Sequence, residues 1–131
     1  MGNEKISIEK ECWFIAEVIE KCEPVKRKEN QELRRVMTWG NFHIIKAKTP
    51  KEAYDKAVNI GKSGEYKFIN SDSLEMEWIF IGIGNLIPIY EDIEDGSEIM
   101  WENYGYISNR KAMTYSISEE KLLQNLKNDV K

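Results

Sequence analysis

The sequence predicts an α+β domain: a mostly antiparallel sheet of about five strands, one helix packed on a face, and a C-terminal helix. Segments rich in β-branched and aromatic residues outnumber the two segments with helical periodicity. Strands and helices also fail to alternate strictly, as a parallel doubly wound sheet requires. The length of 131 residues and the hydrophobic fraction of 41% suit a single domain covering residues 1–131.

The strands are predicted from apolar runs that end at turn residues. In the second strand, Gly40-Asn41 indicates a bulge or a tight turn. Alternation in the fourth places Met76, Trp78 and Phe80 on one face and Ile79, Ile81 and Ile83 on the other. The stretch Asn85–Tyr90 contains Pro88, which favours an edge or a crossing segment. The predicted strands are residues 12–19, 33–48, 65–70, 74–83 and 99–107.

The first helix has a clear start signal. Thr49 can cap it, Pro50 suits the first helical position, and Glu52 can reach back as in a capping box. The helix is predicted to reach about Lys62, with Ala53, Ala57 and Ile60 along one face and Gly61 and Gly64 as the stop. The C-terminal helix is predicted at about residues 117–130, capped by Ser116 or Ser118, with Leu122, Leu126 and Val130 in its apolar line.

The charge distribution bounds the partners that the chain can bind. Net charge is −4, and residues 1–62 hold 13 basic and 10 acidic side chains, whereas residues 63–131 hold 6 and 13. A nucleic-acid binder usually has a basic stripe, and a solvated loop explains the one basic cluster here, so we expect no nucleic-acid partner. That cluster comprises Lys26, Arg27, Lys28, Arg34 and Arg35. No apolar run reaches the roughly 18 residues of a membrane span and the N-terminus is polar, so we expect a cytoplasmic protein without a membrane partner.

The sequence offers little for catalysis or cofactor binding. Cys12 and Cys22 would lie about 33 Å apart on one extended strand, beyond disulfide reach unless a turn intervenes. With His43 as the single histidine, they cannot complete a usual structural zinc site. Gly82-x-Gly84 lacks the third glycine of a dinucleotide loop. We therefore expect no catalytic residue, no metal and no cofactor, and a protein that is not an enzyme.

Several segments in order resemble one protein family. They are Trp13-Phe-Ile-Ala-Glu17, the Ala53…Ala57…Gly61 helix, and above all Trp78-Ile-Phe-Ile-Gly82, Leu86-Ile-Pro-Ile-Tyr90 and Ile93-Glu-Asp-Gly-Ser-Glu-Ile99. Together, over about residues 11–101, they resemble the bacterial domain-of-unknown-function family 4288. The resemblance implies a small intracellular bacterial α+β domain, and it implies no activity and no catalytic residue.

The most informative feature is an acidic stretch. Residues 68–109 contain nine carboxylates and no lysine or arginine. Glu94-Asp-Gly-Ser97 predicts a hairpin turn, and aromatics beside carboxylates make good anchors for a basic protein. The stretch suits either a solvated turn at the edge of the sheet or a protein-binding face. As the function, we expect a non-catalytic binding module, comparable to immunity proteins or antitoxins, that is monomeric or homodimeric. The predicted partner-binding residues are Tyr90, Glu91, Asp92, Glu94, Asp95, Glu98, Trp101 and Glu102.

Two other functions remain open from the sequence. The glycine-loosened apolar run Gly82–Pro88 beside carboxylates could border a pocket of a small-molecule binder or an enzyme. Alternatively, an exposed strand edge or the face of the C-terminal helix could make the chain a structural or regulatory subunit of a homo-oligomer.

Overall fold

The computed structural model describes residues 10–26 and 35–128. The chain forms two compact units, which meet between Met100 and Trp101. The first unit contains β1 (Cys12–Pro24), β2 (Met37–Ala47), α1 (Pro50–Ser63), β3 (Tyr66–Ile69) and β4 (Glu75–Ile89), and the second contains α2 (Asn109–Met113) and α3 (Glu119–Asn128). Four predicted features lie partly or wholly outside the described residues. They are the loop over residues 23–32, the start of the second strand at Leu33, most of the basic cluster, and Val130.

The first unit is a sheet with one helix on a face. Its four strands have the order β2-β1-β4-β3, and every neighbouring pair is antiparallel. The predicted α+β class is therefore confirmed, but the expectation of about five strands is wrong by one. The helix α1 contacts β1, β2 and β4, and the core beneath it contains Phe14, Ala16, Ile45, Ala47, Ala53 and Ala57. The two alanines of α1 lack bulk, which lets the helix approach the sheet closely.

The pairing of β1 with β2 is regular from Cys12–Ala47 to Cys22–Met37. The predicted bulge or turn at Gly40-Asn41 is therefore wrong. Gly40 is explained by the neighbouring strand instead, because a Cβ built there would lie 2.2 Å from Glu17 Oε2. This glycine leaves room for a side chain of β1 rather than bending its own strand.

The strand β4 extends further than predicted and contains two irregularities. Its register with β1 shifts between Glu17 and Val18 and again between Ile19 and Glu20, so one residue of β4 is skipped at each place. Met76, Trp78 and Phe80 precede both irregularities in β4, and they share one face as predicted. Ile83, predicted to face the opposite side, pairs with Val18 and packs against the core under α1.

The helix α1 begins after the predicted cap, Thr49, and ends within one residue of the predicted position. Thr49 Oγ1 accepts the N–H of Glu52 at 3.0 Å, and Glu52 Oε1 accepts the N–H of Lys48 at 2.6 Å. The helix continues to Ser63, with Gly64 as its C-cap. Gly61 is therefore not part of the stop; it is buried inside the helix, where a Cβ would lie 2.2 Å from Phe80 Cδ1.

The second unit is irregular before its two short helices. The predicted strand 99–107 does not form; instead Asn103 Oδ1 accepts the N–H of Gly105 at 2.8 Å, and Gly105 has φ +76°. This local turn breaks an extended chain. Ser108 caps α2 through the N–H of Lys111, and Ser118, one of the two predicted caps, accepts the N–H of Lys121 at 3.3 Å at the start of α3. Tyr104 and Tyr115 stack with ring centroids 4.4 Å apart.

Candidate partner-binding surface

The predicted binding residues of the first unit follow directly on the end of β4. Ile89 is buried at the end of the strand, and from Tyr90 onward the chain emerges into solvent. Tyr90 is 81% exposed, so its ring is almost fully available. We call residues 90–98 the acidic segment. Its members Glu91, Asp92, Glu94, Asp95 and Glu98 are all exposed.

The acidic segment is held in shape by one serine. Ser97 Oγ accepts the N–H of Glu94 at 2.9 Å and donates to the carbonyl of Asp92, while the N–H of Ser97 donates to the carbonyl of Glu94 at 3.0 Å. Gly96 has φ +90°, the left-handed conformation that glycine accepts most readily. The turn predicted at residues 94–97 is therefore confirmed. The hairpin predicted around it is wrong, because the strand expected after it does not form.

The charges of the acidic segment are not neutralised locally. None of its carboxylates forms a salt bridge with any residue of 10–26 or 35–128. The ion pairs described there lie elsewhere, at Lys21–Glu23, Lys51–Asp55 and Lys56–Glu52. Five negative charges within eight residues thus create a negative potential, which attracts a cationic surface.

Trp101 and Glu102, the other two predicted binding residues, belong to the second unit. Both are exposed, and the ring of Trp101 is 60% accessible. The structure thus groups six of the eight predicted residues in one short segment and assigns the remaining two to the other unit.

The segment Gly82–Pro88, the alternative site, is part of β4 and pairs with β1. Pro88 pairs opposite Phe14, and β3 reaches only as far as Trp78, so in the described sheet β4 has one partner strand at Pro88. This agrees with the edge position predicted from the missing N–H of proline. His43 is half-buried on β2 opposite Ala16.

Glu17 is a potential functional residue that sequence reasoning missed. Its carboxylate lies on the face of the sheet opposite α1, between Gly40 of β2 and Gly84 of β4, and Oε1 accepts the Nδ2 of Asn85 at 2.7 Å. A Cβ at Gly84 would lie 2.7 Å from Glu17 Oε1. Since the two glycines are far apart in sequence, only the strand order reveals that they surround one carboxylate.

The two cysteines lie on one strand, which extends beyond the predicted end at Ile19, and both are free thiols. Cys12 is exposed and Cys22 is half-buried. Burial raises the pKa of the Cys22 thiol, because a thiolate loses hydration there. In the described parts of the chain, no three His, Cys, Asp or Glu side chains are grouped to hold a metal ion. The helices described are also too short or too polar to span a bilayer.

These features define a small α+β domain, with an antiparallel four-stranded sheet and one covering helix, that carries an exposed acidic segment at the end of a strand. The sequence profile of DUF4288, a domain of unknown function, matches residues 13–101, and the chain belongs to this family. The match includes the sheet from Trp13 onward, α1 and the acidic segment, and it ends at Trp101. No curated protein and no solved structure matches the chain significantly.

Proposed function

We propose that this protein is a non-catalytic binding module that attaches to a basic protein through the acidic segment. The observation that carries the proposal is the set of five exposed carboxylates without a salt bridge to any described residue, next to the exposed ring of Tyr90. A basic partner would supply the missing counter-charges, and Tyr90 would supply the apolar contact area that charge pairs lack.

The hydrogen bonds of Ser97 support this function because they fix the segment before a partner arrives. A preformed loop loses less conformational entropy on binding than a flexible one. The carboxylates would mainly accelerate encounter and select the partner by charge, whereas Tyr90 would slow dissociation. Binding should therefore weaken with salt, because exposed charges are screened beyond about 8 Å at physiological ionic strength.

The specific role we propose is that of an immunity protein or antitoxin in the bacterial cytoplasm. An acidic surface of this kind can cover the basic groove with which a toxin binds nucleic acid, and charge complementarity makes such capture fast. In this role the protein needs no catalytic group of its own.

The test is affinity capture from lysate of the source cells with three purified baits, at low and high salt. The first is the wild type, and the second replaces Asp92, Glu94, Asp95 and Glu98 by Asn or Gln. The third neutralises four exposed carboxylates elsewhere, Glu11, Asp72, Glu75 and Glu120. We expect the wild type and the third bait to retain a basic protein at low salt and the second to lose it. Equal retention by all three baits would refute the proposal.

A second candidate function is binding of a small molecule beside Gly82–Pro88, and the position of Glu17 favours it. Asn85 is exposed and donates to the Glu17 carboxylate, and no atom comes within 4 Å of a Cβ placed on Gly82. A ligand with a hydrogen-bond donor could occupy that space. Thermal shifts with a metabolite set, repeated with Glu17→Gln, test this candidate; shifts that persist in the variant would count against it.

A further inference from the structure

We propose that a hollow on the helix-covered side of the sheet, beyond the C-terminal end of α1, binds a methylated ammonium cation. The hollow has a volume of about 220 Å³ and is lined by Glu20, Trp39, Asn41, Gly64, Tyr66 and Trp78. It is separate from the acidic segment, and its occupation does not depend on the function proposed above.

Every strand of the sheet contributes an aromatic or acidic side chain to this aromatic hollow. Glu20 of β1 pairs opposite Trp39 of β2, and Trp78 of β4 pairs opposite Tyr66 of β3. These residues lie on the same face of the sheet as the core under α1, but beyond the last turn of the helix. The helix therefore leaves this end of the sheet uncovered, and Trp39 and Tyr66 remain 45% and 59% exposed.

The two tryptophans make an edge-to-face contact in the lining of the hollow. Their ring centroids are 6.1 Å apart and their planes are perpendicular. Two perpendicular aromatic planes with a third ring nearby are the arrangement with which proteins enclose quaternary ammonium groups, because each ring face carries a negative quadrupole potential. Tyr66 supplies that third ring.

The described residues of the lining carry one formal charge, and it is negative. Glu20 Oε1 accepts the Nδ2 of Asn41 at 2.9 Å, which holds the carboxylate in place, and no described residue donates a hydrogen bond to Oε2. Among residues 10–26 and 35–128, no lysine, arginine or histidine lines the hollow, and Lys62 in the last turn of α1 is not among its lining residues. The C-terminal end of α1 at Gly64 adds the partial negative charge of a helix terminus.

Size and chemistry together select the ligand. The hollow is larger than one water, at about 30 Å³, and smaller than the sites of drug-sized ligands, at about 300–1,000 Å³. An anion would be repelled by Glu20, and a neutral apolar group would desolvate this carboxylate without compensation. A hard metal ion would require about six oxygen ligands. A methylated ammonium satisfies the charge while its methyl groups contact the rings.

The experiment is heteronuclear NMR titration of the full chain with tetramethylammonium and with choline. The neutral control is the carbon analogue of choline, in which a tert-butyl group replaces the trimethylammonium group. We expect the cations to shift the indole N–H signals of Trp39 and Trp78 saturably, with those of Trp13 and Trp101 unchanged and the neutral analogue at least about tenfold weaker. Equal binding of the neutral analogue, or no shift at Trp39 and Trp78, would overturn the proposal.

Variants then connect the signal to the lining residues. Glu20→Gln and Trp39→Leu should each weaken choline binding about fivefold or more, whereas Trp101→Leu, in the other unit, should not change it. If Trp39→Leu fails to fold, the comparison of charged and neutral ligands on the wild type still tests whether the hollow selects a cation. A last pair of titrations, with choline and with free trimethyllysine against lysine, distinguishes a small-molecule headgroup from a methylated protein side chain as the source.

Discussion

Replacing Gly61 by alanine tests how closely α1 packs on the sheet. In the helix interior, alanine is favoured over glycine by about 1 kcal/mol, so propensity alone predicts a more stable protein. The new Cβ, however, would lie 2.2 Å and 2.4 Å from Cδ1 and Cε1 of Phe80, whereas ordinary contact begins near 3.4 Å. The Phe80 ring or the helix must therefore move by about 1 Å.

The expected net effect is a loss of stability. Overpacking of this kind costs about 1–3 kcal/mol. Three atoms of the Phe80 ring clash at once. We therefore place the cost of Gly61→Ala in the upper part of this range and the net destabilisation at about 1–2 kcal/mol after the gain in propensity. Urea unfolding followed by tryptophan fluorescence measures this difference directly.

Two further variants make the test specific. Gly64→Ala is the matched control, because a Cβ there would meet its nearest atoms at 3.5 Å and 3.6 Å, and we expect it to be neutral or slightly stabilising. In a Phe80→Ala background the clash is gone, so Gly61→Ala should become stabilising by up to about 1 kcal/mol. A Gly61→Ala protein as stable as the wild type, or an unchanged penalty without the Phe80 ring, would refute the reasoning.

Three further predictions follow from local contacts. Iodoacetamide should alkylate Cys12 before Cys22, because burial raises the pKa of the Cys22 thiol and leaves less reactive thiolate at a given pH. Mass spectrometry of digested samples gives the order of labelling, and faster labelling of Cys22 would contradict the prediction. Ser97→Ala should speed hydrogen exchange at the Glu94 amide, whose bond partner it removes; unchanged exchange would show that the bond is unimportant. Thr49→Ala should cost about 1 kcal/mol of unfolding free energy in urea, and no loss would mean that the cap is dispensable.

Local signals allowed much of the fold to be predicted. The capping residue Thr49 acts within a few positions of itself, and its bond to the N–H of Glu52 forms as expected. Glu52 also reaches back, but it accepts the N–H of Lys48 rather than that of the cap residue. A local signal also explains why the predicted fifth strand does not form. Residues 99–107 have strand-like composition, but Asn103 and Gly105 form a turn inside them, a signal that was present in the sequence and outweighed by the apolar pattern.

The rest depended on pairing between distant strands. The side on which Ile83 lies is decided by the register shift between Ile19 and Glu20 of β1, and alternation within β4 alone cannot reveal this shift. For the same reason, the Glu17 carboxylate between Gly40 and Gly84 was missed. The acidic segment was predictable because its charges are consecutive in sequence, whereas the aromatic hollow draws its residues from four strands.

The central claim, that the acidic segment contacts a basic partner, is tested most directly by site-specific photo-crosslinking in the source cells. One variant carries benzoylphenylalanine in place of Tyr90, and the control carries it in place of Tyr54, an exposed tyrosine on α1. The account predicts that the Tyr90 variant forms a crosslinked product with a basic protein and that the Tyr54 variant does not. No product at Tyr90, or the same products from both positions, would contradict it.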